Sequence, residues 1–156
     1  MPVSLDTEEG LGGTHDERFG PDVLLLGGFK RSEVPAVREM LHSLGADWFA
    51  VKVIEPRMAE LSQRDALHSE QSHSAALEAA EECARAGWPP RVCFVSGCNG
   101  NELISIIDEF DSLGFDPPLF AGVTPRSYEK TIGELIAEID KDHAELVRQQ
   151  RASLTS

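Results

Sequence analysis

Apolar runs alternate with amphipathic, helix-like stretches along the chain and predict a sheet of four strands covered by helices. Short apolar runs bounded by Gly or Pro are typical of strands that are buried on both faces of a sheet. Apolar residues that recur every three or four positions are typical of helices packed on such a sheet. The predicted strands are 22–29, 48–54, 91–96 and 119–123.

The predicted helices begin at polar capping residues and end at glycines. Ser32 and Asn101 are predicted N-caps, and Thr131 with Glu134 forms the T-x-x-E pattern of a capping box. A long helical pattern covers 64–86, and the serines and histidines in its first half favour a break there. The glycines predicted to end helices are Gly45, Gly87 and Gly114.

The same order of elements occurs twice, at a shift of 69 residues. Without a gap, this shift pairs Gly28 with Gly97, and Pro56-Arg57 with Pro125-Arg126. We therefore predict an α/β fold with a four-stranded, mostly parallel sheet made of two β-α-β-α repeats, with helices on both faces. Two alternatives stay open. One is a pair of generic β-α-β units that share turn and core residues without duplication. The other is a ferredoxin-like sheet, for which hairpin turn signals are lacking.

The predicted organisation is a single α/β domain over 21–150, with repeats at about 21–87 and 90–150. Residues 1–20 are predicted to form a disordered acidic N-terminal tail, because their few large apolar residues could not offset the entropy of ordering. Residues 151–156 are predicted to form a frayed C-terminus.

The composition indicates a soluble globular protein with a strong acidic excess. Among 156 residues, 27 are acidic and 14 basic, for a formal net charge of −13. This charge disfavours non-specific binding to nucleic acid and to anionic membranes. No apolar run reaches the ~18 residues of a membrane-spanning helix. Three cysteines without redox or zinc spacing favour a reducing compartment.

The strongest candidate site is the pair of turns that follow the first strand of each repeat. In open α/β sheets, ligands bind beyond the carboxyl ends of the strands, where helix N-termini present free N–H groups to anions. The sequence lacks the GxGxxG and GK[ST] phosphate-binding patterns, so glycines needed only for tight turns are the alternative. The candidate ligand-binding residues in these turns are Gly27, Gly28, Lys30, Arg31, Gly97, Cys98 and Asn99.

A Pro-Arg element ends the second strand of each repeat. Arg57 follows Pro56, and Arg126 follows Thr124 and Pro125. If all strands were parallel, both elements would lie at the same sheet edge as the glycine turns. Arg57, Thr124 and Arg126 are therefore further candidates for binding an anion or a partner. The alternative is that the arginines brace the helices that follow them.

Catalytic and metal-binding patterns are weak. A thiolate at a helix N-terminus has a lowered pKa, which makes Cys98 a candidate nucleophile, but Phe29 at the equivalent position favours a packing role. The five histidines lack zinc spacing, and Asp108, Glu109 and Asp111 fall on the solvated face of a helix. We predict no catalytic residue, metal ligand or cofactor.

A set of short motifs marks the second repeat. They are Gly97, Glu102-Leu103, Gly114, Pro118-Leu119-Phe120-Ala121, Thr124-Pro125 and Asp142-His143. In these motifs the repeat resembles a small family of duplicated bacterial and plant α/β proteins known as a domain of unknown function. The resemblance implies no activity, but it marks His143 as a family feature. Residues 126–130 replace the Asn-x-x-Trp of bacterial members, so the resemblance implies the photosynthetic-eukaryote branch and the plastid stroma, with the cytoplasm as the alternative.

Two functions are compatible with these patterns. The favoured one is a non-catalytic protein-interaction or assembly-factor module, with a protein partner or self-association at an exposed strand edge. The alternative is a protein, or an enzyme, that binds a small molecule or an anion such as phosphate through the glycine turns. Neither function involves nucleic acid or a membrane span.

Overall fold

The fold was obtained as a computed structural model that describes residues 18–155. The side chains of 143, 144, 146, 147 and 150–155 are not described. Most of the predicted N-terminal tail, the side chain of His143 and residue Ser156 therefore lie outside the described part of the chain.

Within residues 18–155, four strands and six α-helices follow one another in an α/β order, with one additional 3₁₀ helix. The strands are β1 (Val23–Gly27), β2 (Ala50–Val53), β3 (Val92–Ser96) and β4 (Leu119–Gly122), and the 3₁₀ helix is Pro56–Glu60. The α-helices are α1 (Glu33–Ser43), α2 (Gln63–His68), α3 (His73–Ala86), α4 (Gly100–Ser112), α5 (Pro125–Tyr128) and α6 (Ile132–Thr155).

The sheet is mixed, with the strand order β2-β1-β3-β4. β1 pairs with β2 and β3 pairs with β4 in parallel, but the central strands β1 and β3 are antiparallel. The α/β sheet of four strands is confirmed, but it is mixed, and the prediction of a mostly parallel sheet of two β-α-β-α repeats is not confirmed. The physical reason lies in the connection from β2 to β3, which has α2 on one face of the sheet and α3 on the other. It brings the chain back to the end of the sheet at which β1 finishes, since Val92 at the start of β3 lies opposite Gly27.

The two parallel pairs have the same register. Partner residues in β1 and β2 are 27 positions apart, as in Val23 and Ala50, and partners in β3 and β4 are also 27 apart, as in Val92 and Leu119. At the middle of the antiparallel pair, Leu25 lies opposite Phe94. The β1-β2 pair and the β3-β4 pair are therefore arranged symmetrically about this point.

Two apolar layers cover the sheet. α1, α4 and part of α3 cover one face, where Leu24, Leu26, Cys93 and Val95 point. The 3₁₀ helix, α2 and the first turns of α6 cover the opposite face, where Leu25 and Phe94 point. β1 and β3 are buried along their whole length, whereas β4 is only half-buried.

The helix starts differ in part from the prediction. The N-cap of α4 is Asn99, not Asn101, and its side chain accepts a hydrogen bond from the amide of Glu102. Ser32 makes no side-chain cap, because its backbone is already helical. The capping box of Thr131 and Glu134 is confirmed by reciprocal hydrogen bonds of 2.9 and 3.1 Å.

The long helical pattern of 64–86 breaks into α2 and α3 at Ser69–Ser72, and Gly87 ends α3 with φ of 71°. In the second half the corresponding stretch forms the single helix α6, which continues to Thr155, where the sequence predicts fraying. Within the described residues, every helix is too short or too polar to cross a membrane.

Candidate functional site

The two glycine turns lie at opposite ends of the sheet. Because β1 and β3 are antiparallel, the end of β1 lies beside the start of β3. One end therefore carries Gly27, Gly28, Lys30, Arg31 and Arg57. The other end carries Gly97, Cys98, Asn99, Thr124 and Arg126. The condition under which all of these residues would lie at one edge, parallel strands throughout, is not met, because β1 and β3 are antiparallel.

Backbone contact explains the glycine of each turn. Gly28 has φ of 72°, and a Cβ placed there would lie 2.7 Å from the backbone of Pro90 and Arg91. Gly97 has φ of 83°, and a Cβ there would lie 2.9 Å from the backbone of Pro21 and Asp22. Residues other than glycine rarely adopt this conformation, and here they would also clash with the adjacent backbone.

A carboxylate of the chain itself occupies the start of α1. Glu33 accepts hydrogen bonds from the Lys30 amide at 2.7 Å and from the Arg91 guanidinium at 2.8 Å. Burial acts to raise the pKa of Glu33, but the hydrogen bonds from Arg91 and Lys30 outweigh burial and hold that pKa below its ordinary value. An anion at this turn would have to bind beside the Glu33 carboxylate rather than on the free helix end.

The start of α4 has an equivalent, more exposed arrangement. Glu102 accepts hydrogen bonds from the Asn99 amide at 2.9 Å and from Arg18 at 2.6 and 3.0 Å. The hydrogen bond from Arg18 lowers the pKa of Glu102. Both glycine turns therefore use a glutamate and a distant arginine to satisfy the helix start.

Lys30 and Arg31 line an open recess of about 480 Å³ together with Ser32, Pro35 and Leu77. Arg31 also forms an ion pair of 3.2 Å with Glu81 of α3. Two basic side chains therefore line this recess, close to the first glycine turn.

The Pro-Arg elements differ in their contacts. Arg57 pairs with its neighbour Glu55 at 2.8 Å, and Arg126 is exposed on α5. Thr124 caps α5 through the amide of Ser127, whose hydroxyl donates to the buried Gln63 side chain at 2.7 Å. Thr124 thus has a structural role in joining α5 to α2.

The environment of Cys98 is unlike that of a reactive thiolate. Burial and the nearby charges of Glu102 and Asp22 raise the pKa of the Cys98 thiol to about 12. Burial likewise raises the pKa of Cys83 to about 11, and the Cys83 thiol donates to the carbonyl of Ile54. Among the side chains that the structure describes, no group of three His, Cys, Asp or Glu is arranged to hold a metal.

The β2 edge of the sheet is closed by side chains. In a parallel pair, alternate residues direct both backbone groups away from the neighbouring strand, and in β2 these are Val51 and Val53. The side-chain amide of Gln71 accepts a hydrogen bond from the N–H of Val53 at 2.8 Å and donates one to its C=O at 2.9 Å. Arg38 donates to the carbonyl of Val51 at 3.2 Å. These bonds leave little room for another strand.

The β4 edge is open within the described structure. Phe120 and Gly122 direct their backbone groups outward, because Leu119 and Val123 donate inward to β3. In the part of the chain whose backbone and side chains are described, no hydrogen bond reaches these outward groups. At the positions equivalent to Arg38 and Gln71, the second half has Ile107 and Asp140, and neither of them bonds to the strand.

Apolar and acidic side chains border this open edge on α4. Ile104 is 56% exposed, and Ile107 and Phe120 are half-buried. Asp108 and Asp111 lie exposed on the same flank of α4. Sequence interpretation missed Ile104 and Ile107, although the replacement of Arg38 by Ile107 between the repeats was a usable signal.

Comparisons with known proteins identify similarity in the second half of the chain. Residues 91–146 match a family model described as Domain of unknown function (DUF3783). Neither the curated proteins nor the solved structures gave a match. The stretch from β3 into α6, which includes the open β4 edge, is therefore similar to a family described as a domain of unknown function.

Proposed function

We propose that this protein is a non-catalytic interaction module that binds a protein partner along the β4 edge. The observation that carries the proposal is the contrast between the two edges of one sheet. Gln71 and Arg38 close β2, whereas β4 keeps outward backbone groups at Phe120 and Gly122. Open strand edges are templates for pairing with another chain, and proteins that do not use them normally cover them.

The proposal includes an origin by duplication followed by divergence of the two edges. The shared register of 27 positions supports it, as do the equivalent glutamates Glu33 and Glu102, each of which accepts a backbone amide at a helix start. On this view the ancestral unit supplied the scaffold, and the second copy kept its edge available for binding.

Affinity capture under mild cross-linking tests the function. Ile107→Arg would place a guanidinium near the carbonyl of Phe120, as Arg38 does for Val51, and should close the edge. Glu39→Lys, on the exposed surface of α1, is the control. We expect a partner or a self-associated form that the control retains and Ile107→Arg loses. The absence of any stable partner and of self-association would refute the proposal.

A second candidate function is the binding of a small anion in the recess at Lys30 and Arg31. The two basic side chains beside Ser32 favour it. A thermal-shift screen with phosphates, nucleotides and sugar phosphates tests it, because a ligand at 100 times its Kd should stabilise the fold by ~2.7 kcal/mol. No shift under any condition would remove this candidate.

A further inference from the structure

We infer that the occupant of the β4 edge is an extended segment of another protein, with apolar residues at its centre and basic residues at its ends. This inference rests on the proposed interaction function and specifies the chemistry of the partner.

Main-chain geometry defines how the segment would bind. The outward N–H and C=O groups of Phe120 and Gly122 are two residues apart, about 7 Å along the strand. An added strand would pair with them and extend the sheet to five strands. Because side chains alternate between the two faces, every second side chain would face Phe120 and the α4 flank. Ile104 and Ile107 there make apolar side chains the fitting ones.

The stretch that borders the edge on the α4 side carries charged residues of a single sign. The stretch 100–118, which forms α4 and leads into β4, contains neither Lys nor Arg. Asp108 and Asp111 are exposed on the flank next to Ile107. The acidic residues of the stretch are Glu102, Asp108, Glu109, Asp111 and Asp116. Basic residues at the ends of a bound segment would complement these charges.

The same charges disfavour a second copy of the chain as the occupant. Pairing of two β4 edges about a twofold axis would bring two α4 helices together on one face of the joined sheet. Asp108 and Asp111 of the two copies would then face each other, and each copy carries a formal net charge of −13. Like charges across an interface are unfavourable.

Residues 1–17 fit the edge no better on grounds of charge. They contain Asp6, Glu8, Glu9, Asp16 and Glu17, and neither Lys nor Arg. They would bring further negative charge to Asp108 and Asp111. A basic segment of a different protein is the occupant that the charges favour.

A synthetic peptide tests the inference on the full chain. The probe is the nonapeptide Lys-Lys-Val-Thr-Val-Thr-Val-Lys-Lys, titrated while the amide NMR signals of the protein are followed. Two control peptides carry Glu in place of Lys, or N-methyl groups on the three valines. We expect saturable shifts at Phe120 and Gly122 with the Lys peptide. We also expect at least about tenfold weaker binding of both controls, since one loses charge and the other main-chain donors.

Matched charge reversals test the location. The double variant Asp108→Lys and Asp111→Lys changes the net charge as much as Glu39→Lys and Glu78→Lys, which alter exposed residues on α1 and α3 near the closed edge. We expect the first double variant to lose about tenfold more affinity than the second. Equal losses would mean that the peptide senses only overall charge and would overturn the inference.

The outcomes separate this inference from the proposed function. Equal binding of the Lys and Glu peptides, or of the N-methylated peptide, would overturn the partner chemistry. A dimer seen by light scattering and abolished by Ile107→Arg would also overturn it, but would leave the interaction function standing. If no peptide binds, but a partner is captured that the Ile107→Arg variant loses, the partner chemistry is again overturned and the interaction function again stands.

Discussion

The glutamates at the two helix starts allow a controlled measurement of how much burial increases the contribution of an ion pair to stability. Glu33 and Glu102 occupy equivalent positions, and each accepts hydrogen bonds from a nearby backbone amide and from a distant arginine. Replacing either glutamate by Gln keeps an oxygen acceptor and a similar volume but removes the charge. We predict that Glu33→Gln destabilises the fold clearly more than Glu102→Gln.

The magnitude follows from exposure. The side chains of Glu33 and Arg91 are 10% and 21% exposed, whereas those of Glu102 and Arg18 are 43% and 54% exposed. A hydrogen bond to a charged group in a sheltered site is worth about 1.5–3 kcal/mol. An exposed pair is worth about 0–1 kcal/mol. Arg91 also donates to the carbonyl of Asp116 at 2.6 and 3.0 Å, so we expect Glu33→Gln to cost about 1.5–2 kcal/mol, near the lower end of the range.

Urea unfolding at pH 7, followed by far-UV circular dichroism, measures both losses. The pH dependence provides a second check. Because the folded pKa of Glu33 lies below its unfolded value of about 4.3, its stabilisation is present above that pH and is lost as the pH falls through the folded pKa. The difference between wild type and Glu33→Gln should therefore shrink below about pH 4. Equal losses for the two variants, or a difference that does not depend on pH, would refute the reasoning.

Three further predictions concern the edge, the turns and the thiol. Gln71→Ala should lower the free energy of unfolding in urea by about 1–2 kcal/mol, because it leaves both backbone groups of Val53 without their partner. Asp140→Ala, at the equivalent position, should lower it by under about 0.5 kcal/mol. Similar losses for the two variants would contradict the closed-edge interpretation. Gly45→Ala should lower the free energy of unfolding by ~1–2 kcal/mol, and Gly28→Ala by at least about twice as much. Both glycines have positive φ, but only Gly28 lies against the backbone of other residues. Equal melting temperatures of the two variants would contradict this prediction. Iodoacetamide should alkylate Cys98 far more slowly in the folded chain than in urea, up to at least about pH 9; rapid alkylation at pH 7 would contradict its raised pKa.

Local sequence signals placed the elements well. The strand runs, the Thr131 capping box and the glycine after α3 all correspond to observed structure. These features depend on side chains within a few residues of one another, so the sequence carries them directly. The α4 cap moved from Asn101 to Asn99 because either residue could cap, and only Asn99 has Glu102 three residues later to complete the capping box.

The candidate site was harder to predict. The sequence named the residues of both glycine turns as candidates, but it did not indicate that the two turns lie at opposite ends of the sheet, because strand direction depends on the β2-to-β3 connection. The sequence predicted an exposed strand edge but did not indicate which of the two edges is open, for a related reason. Gln71 lies 18 residues from its partner Val53, and a bond over that distance exists only once α3 has folded beside β2.

The sequence by itself determined four strands, the amphipathic helices between them and glycines at turns with positive φ. These follow from residue periodicity and from the conformational limits of single residues. Only the tertiary structure decided the antiparallel pairing of β1 and β3, and with it the separation of the two glycine turns. It also decided that β2 is closed and β4 open, because backbone satisfaction at a sheet edge depends on which distant side chains reach it.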